Sequence, residues 1–170
     1  KTFEDYLSQM RSNHRRTVLR SMELFQNVTT YKNSCDAFTD EHYQLYLNIM
    51  QRTKTKLEIL PFPFFKELPN HYILTDYRDP KGTILSWHIT ASFHNIYAFL
   101  FGGIHYQFRD QYDSYYNNLL GIYKEGIEAG FSIINFGQTA AQPKTILGAE
   151  KVEKLMFVYH KNRLIRSLFR

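Results

Sequence analysis

Residues 96–136 read IYAFLFGGIHYQFRDQYDSYYNNLLGIYKEGIEAGFSIINF, and the order of periodicities in this stretch decides the fold. Residues 96–104 are nearly all apolar, which predicts a central sheet strand buried on both faces. Tyr112, Tyr115, Tyr116, Leu119, Ile122, Tyr123 and Ile127 then recur on one stripe, with Lys124, Glu125 and Glu128 off it. That spacing predicts a helix over 113–129, ended by Gly130. Residues 131–136 return to a short apolar run, so the helix crosses from one strand to another.

Working outward, residues 71–77 and 83–93 predict two strands. Between them Asp79-Pro80-Lys81-Gly82 supplies a turn, since proline sets φ and glycine takes the unusual one. The N-terminal residues 3–26 predict one helix, with Phe3, Leu7, Met10, Val18, Met22 and Phe25 on one face and Arg16 and Arg20 in solvent. Residues 28–37 fit a short strand or a loop. Thr39 is an N-cap followed by Asp40 and Glu41, which starts a helix that fades near 52–56. Pro61, Pro63 and Pro69 break the pattern around a helical turn at 64–68. A brief helix at 143–149 and a strand at 155–159 complete the order. An antiparallel meander followed by a helix crossing to a further strand is an α+β fold with a mixed, mostly antiparallel sheet flanked by helices.

The chain has 170 residues and a formal charge of +5, enough for one core and short for two domains. Apolar residues form 44% and charged residues 22%, a composition that excludes intrinsic disorder. No apolar run reaches the roughly 18 residues of a membrane span. The single Cys35 excludes an internal disulfide framework and fits a reducing, cytoplasmic setting. The charges are dispersed, so the basic balance reads as a solvated surface rather than a nucleic-acid stripe. The chain starts at Lys1 without a signal-peptide pattern, which suggests a domain cut from a longer protein.

Phosphate-loop, dinucleotide, zincin and nucleophile-elbow motifs are absent. The seven histidines are scattered. His88 and His94 could share a sheet face, yet without nearby carboxylates they read as structural, and no metal is expected. The aromatics around Arg109 and Asp110 read mainly as core packing, although rings beside an arginine can also stack on bases. The sharpest local signal is Asn135-Phe136-Gly137-Gln138-Thr139-Ala140, followed by Lys144 and Gly148. A strand ends there in a free glycine and small polar side chains, where sheet proteins gather ligands. An ordinary strand-to-helix turn has the same composition.

Tyr112-Asp113, Tyr115-Tyr116, Gly126-Ile127-Glu128, Gly130, residues 136–140, Pro143-Lys144 and Gly148-Ala149 together resemble the C-terminal half of GNAT-fold acyltransferases. More narrowly they resemble the Fem-like, peptidoglycan-biosynthesis-type branch, whose opening helix is similar to Phe3-Glu4-Asp5-Tyr6-Leu7 with Arg11 and Arg15-Arg16. The resemblance implies that the strands at 96–104 and 131–136 lie parallel and splay, with the acyl donor entering the gap and an amine attacking from the other side. It implies transfer from an acyl-CoA thioester or an aminoacyl-tRNA to a small-molecule amine, for example on a cell-envelope precursor. A second GNAT-like domain would precede this one. Under it, Asn135, Gly137, Gln138 and Thr139 orient the acyl group or acceptor. Lys144 and Arg109 meet anionic groups, Tyr116 donates a proton, and Asp113 is either a base or an N-cap. The segment 107–114, before the long helix, lacks the glycines that cradle the diphosphate of coenzyme A and carries Asp110 and Asp113. That weighs against acyl-CoA and leaves aminoacyl-tRNA open. The alternatives are a non-catalytic domain of the same fold and an RNA-binding module.

Overall fold

A computed structural model describes residues 2–53, 58–138, 141–153 and 161. Its centre is a hairpin of β2 (Tyr72–Arg78) and β3 (Ile84–Phe93), continued by β4 (Ile96–Ile104). The turn between β2 and β3 forms as its sequence dictates. Gly82 takes φ 86°, and Asp79 Oδ1 accepts from the amides of Lys81 and Thr83 at 2.9 Å each. β1 (Thr29–Ser34) joins the β2 edge antiparallel, from Thr29↔Arg78 to Ser34↔Ile73. Within the polar segment 28–37, residues 29–34 thus form a true strand, exposed along its length, and Cys35–Ala37 form a 3-10 turn that buries Cys35. β5 (Ile133–Asn135) lies beside β4, and among the described residues the order is β1-β2-β3-β4-β5.

Helices cover both faces. On one lie α3 (Asp40–Arg52), started by Thr39, whose side chain and amide both meet His42 Nδ1, and the short α4 (Phe62–Lys66). Trp87, Ile89, Leu74, Phe38 and Phe65 fill that side. On the other lie α1 (Phe3–Gln9), α2 (Ser12–Glu23), the single turn α5 (Arg109–Tyr112), α6 (Ser114–Glu128) and α7 (Ala141–Ile146). Phe3, Val18, Tyr97, Leu119, Ile122, Phe136 and Leu147 pack there.

Several elements differ from their sequence-based expectation. The N-terminal helix is two helices, because Met10 turns extended at ψ 147° and lets both halves lie on α6. The segment before α6 contains α5, and Asp113 joins the two helices in a left-handed conformation (φ 44°) without a side-chain cap. β3, rather than β4, is the strand buried nearly throughout. His94 sits at φ 53° in the tight connection after β3, so it does not share a face with the buried His88. The expected strand at 155–159 lies outside the described residues.

A register shift at Ile89/Thr90 places Phe101 opposite Ile89 and Phe99 opposite Thr90, leaving Leu100 as the extra residue of a bulge in β4. A bulge of this kind reverses the side-chain alternation. Before it Tyr97 and Phe99 face α6, and after it Phe101 joins the cluster under α3.

Candidate functional site

β4 and β5 run parallel, as the strand–helix–strand connection requires. Their ladder lasts for three pairs, Ile96↔Ile133, Tyr97↔Ile134 and Ala98↔Asn135. β4 then continues to Ile104 with no strand beside it on that flank among the described residues. The ladder ends two residues before the bulge at Leu100.

The loop after β5 is held by its own side chains. Asn135 Oδ1 accepts from the Gly137 amide at 2.8 Å. Gly137 takes φ 65°, and a Cβ there would lie 3.3 Å from the Phe99 carbonyl oxygen, so only glycine lets the loop pass so near β4. The Lys144 ammonium from α7 donates to the carbonyls of Phe136 (2.6 Å) and Gln138 (2.9 Å). Burial lowers its pKa. Asn135, Gly137, Gln138 and Lys144 are therefore brought together, with the Gln138 side chain exposed. Thr139 lies outside the described residues. The lysine clasps the loop: Lys144→Met should leave two carbonyls without their donor and cost about 1–3 kcal/mol. A thermal melt measures this, and an unshifted midpoint would mean that the ammonium serves only a ligand.

The remaining predicted residues sit on α5 and α6. Arg109 pairs with Asp110 at 2.7 Å, half-exposed. Asp113 is part-buried at the α5–α6 joint. Tyr116 is buried in the cluster that holds Phe136 and Leu147, and its hydroxyl has no partner among the described residues. Burial, assisted by the charge of Asp113, pushes its pKa up to about 12.

The sequence reading missed one constellation. Glu125 reads only as a residue off the apolar stripe; in the structure its carboxylate collects a group from each of four neighbouring strands. Lys32 Nζ of β1 lies 3.0 Å from it. Thr75 of β2 donates at 3.5 Å, His88 of β3 approaches at 3.4 Å, and the Tyr97 hydroxyl of β4 donates at 2.5 Å. His88 is fixed from behind by Asn118. Burial alone would raise the Glu125 pKa, but His88, Tyr97 and Lys32 outweigh it and hold the carboxyl at about 2. The signal was His88, Thr90 and Tyr97 at inward strand positions, polar groups that a sheet core must satisfy from the covering helix.

No protein-family model matches the chain, and no curated protein matches it in sequence. Solved structures do match. An aminoglycoside acetyltransferase from an uncultured soil metagenomic sample, solved with sisomicin, aligns at TM-score 0.57 and 7% identity, over 81% of this chain and 98% of its own. The ribosomal-protein-alanine N-acetyltransferase of Brucella melitensis biovar Abortus 2308 aligns at TM-score 0.55 and 12% identity, over 78% and 98%. The aminoglycoside N-acetyltransferase AAC(6')-Iy in complex with CoA aligns at TM-score 0.51 and 8% identity, over 79% and 95%. The fold is that of the GNAT acetyltransferases, with the mixed sheet and flanking helices expected from the sequence.

Proposed function

We propose that this domain is an N-acyltransferase whose activated acyl group lies where β4 and β5 part. The observation that carries this reading is the short parallel ladder: after Ala98↔Asn135 the β4 edge has no strand partner among the described residues. Free edge amides can hold a carbonyl oxygen as negative charge develops on it, an effect worth about 3–4 kcal/mol per donor. An amine attacks the held carbonyl, the tetrahedral intermediate collapses, and the departing thiolate or alkoxide takes a proton. Tyr116 is the donor this reading assigns to that last step: its hydroxyl, with a pKa of about 12, is protonated at neutral pH, and the proton released by the attacking amine restores it. Positioning two substrates in one cleft contributes on the order of 7–11 kcal/mol at best, so the chemistry does not require a triad.

Acyl-CoA fits this chain in part. The parted strands suit a thioester arm, with Gly137 allowing close backbone approach. The segment before α6 does not suit a diphosphate: it has no glycine, α5 occupies it, and Arg109 is already paired with Asp110. CoA, where bound, supplies a thiolate leaving group. An aminoacyl ester of tRNA is the other donor in this reading, with an amine on a cell-envelope precursor as acceptor, as in the Fem-like branch. The occupied Arg109 and Lys144 favour a second reading, a GNAT-fold domain that binds without catalysis.

The test offers the protein acetyl-CoA, longer acyl-CoA thioesters and charged tRNA in turn, each with a panel of amines. Binding is read by thermal shift and transfer by mass spectrometry. Transfer from either donor class is the expected result. Binding without transfer would establish the second reading, and absence of both would remove the enzyme.

A further inference from the structure

On the other flank of α6 from β5, an open groove of about 440 Å³ runs between α2, β1, β2 and α6. Its size is that of a small-molecule site. Phe3, Met22, Phe25 and Leu120 form an apolar wall, and Glu125 opens onto it. From this geometry we infer a ligand site for an organic ammonium ion with an apolar body, bound by the Glu125 carboxylate. The site is independent of any acyl transfer at the β4–β5 parting.

Three observations point to a cation. First, Glu125 is the most enclosed charged group of the lining, with a side chain 10% exposed, and His88 and Tyr97 already orient it from the sheet side. Its remaining open edge faces the groove. Second, the cation now on that edge is Lys32, whose side chain is 54% exposed and comes from a strand in solvent along its whole length. Only the lysine of this pair is exposed, so a ligand ammonium that takes its place returns Lys32 to water and leaves the enclosed carboxylate paired with a cation. Third, Phe25 and Tyr77 meet edge to face at 5.3 Å beside the carboxylate, and ring faces attract ammonium groups. An anion has no such seat, since Lys124, the other cation of the lining, lies 4.0 Å from Glu128 on its own helix. Gly121 shapes the wall: any Cβ there would collide with the Tyr77 hydroxyl.

Titration calorimetry with 2-phenylethylamine and its neutral counterpart 2-phenylethanol tests the site on the whole chain. The amine should bind at least about tenfold more tightly, the margin a charge-assisted hydrogen bond provides. Lys32→Met removes the competing ammonium from an exposed position and should tighten amine binding roughly twofold to fivefold. Glu125→Gln should abolish the preference for the amine. Equal binding of amine and alcohol, no binding of either, or weaker amine binding by Lys32→Met would each overturn the proposal. The lysine variant keeps the test decisive even if Glu125→Gln fails to fold.

Discussion

Replacing Gly103 by alanine is expected to unfold much of the protein at temperatures where the parent is stable. Gly103 lies opposite Trp87 in the β3–β4 ladder, beyond the bulge, on the face covered by α3. A Cβ there would meet Trp87 Nε1, 2.1 Å away, and Leu45 Cβ at 2.8 Å. Neither can yield. Trp87 is fully buried, ringed by Phe38, Phe65 and His42, and its indole N–H donates to the His42 carbonyl at 2.9 Å. Overpacking costs about 1–3 kcal/mol. Displacing the indole leaves a buried donor unpaired at about 1–3 kcal/mol more. At roughly 2–4 °C per kcal/mol for a domain of this size, the midpoint should fall by about 10 °C. Trp87→Phe added to Gly103→Ala should recover part of the loss, so that the double variant is more stable than the sum of the singles. A Gly103→Ala midpoint within about 2 °C of the parent would refute the packing described under α3.

Glu125→Leu should be of comparable severity for the opposite reason. Leucine fills the volume but leaves the inward groups of Thr75, His88 and Tyr97 without their common acceptor. Breaking a buried charged network from one side costs about 3–5 kcal/mol. The pH dependence identifies the cause. The folded carboxyl titrates at about 2, below its usual 4.5. A lowered folded pKa stabilises at every pH above the unfolded value, and that contribution disappears as pH falls from 4.5 towards 2. The shift corresponds to roughly 3 kcal/mol. Urea unfolding of the parent should weaken by about that much more than unfolding of Glu125→Gln over the same pH interval. Parallel pH profiles would place the acid-sensitive carboxylate elsewhere. Asp76 is the first place to look, because it is buried between His42 and Arg78 and its pKa is also lowered.

Both predictions rest on features with different standing in the sequence. Strands β2, β3 and β4 and helix α6 were readable within a residue or two, because each is a strand-like run or a helical stripe that persists over seven to fifteen residues. The turn at Asp79–Gly82 was equally legible, its chemistry being local. The split at Met10 was not: the apolar spacing continues across it, and only the fit of both halves to α6 decides it. The bulge at Leu100 hid in an unbroken apolar run, where period-two reading has no polar residues to mark a change of face.

The candidate site divides the same way. The loop at Asn135–Gln138 announced itself through its glycine and small polar residues, and Gly137 does take the left-handed conformation. Lys144 was visible as a cation, but its two carbonyl partners come from the chain folding back on itself.

What the sequence determined alone is the succession of β2, β3, β4 and α6 and hence the α+β class, since helix, strand and turn preferences act over a few neighbouring residues. Where β4 and β5 separate, and that Glu125 is a buried hub rather than a solvated charge, the tertiary structure decided. The fate of Glu125 depends on groups from β1, β2, β3 and β4 converging on one helix. The desolvation and pairing energies that settle a charge's fate arise only when segments far apart in the chain exclude water together.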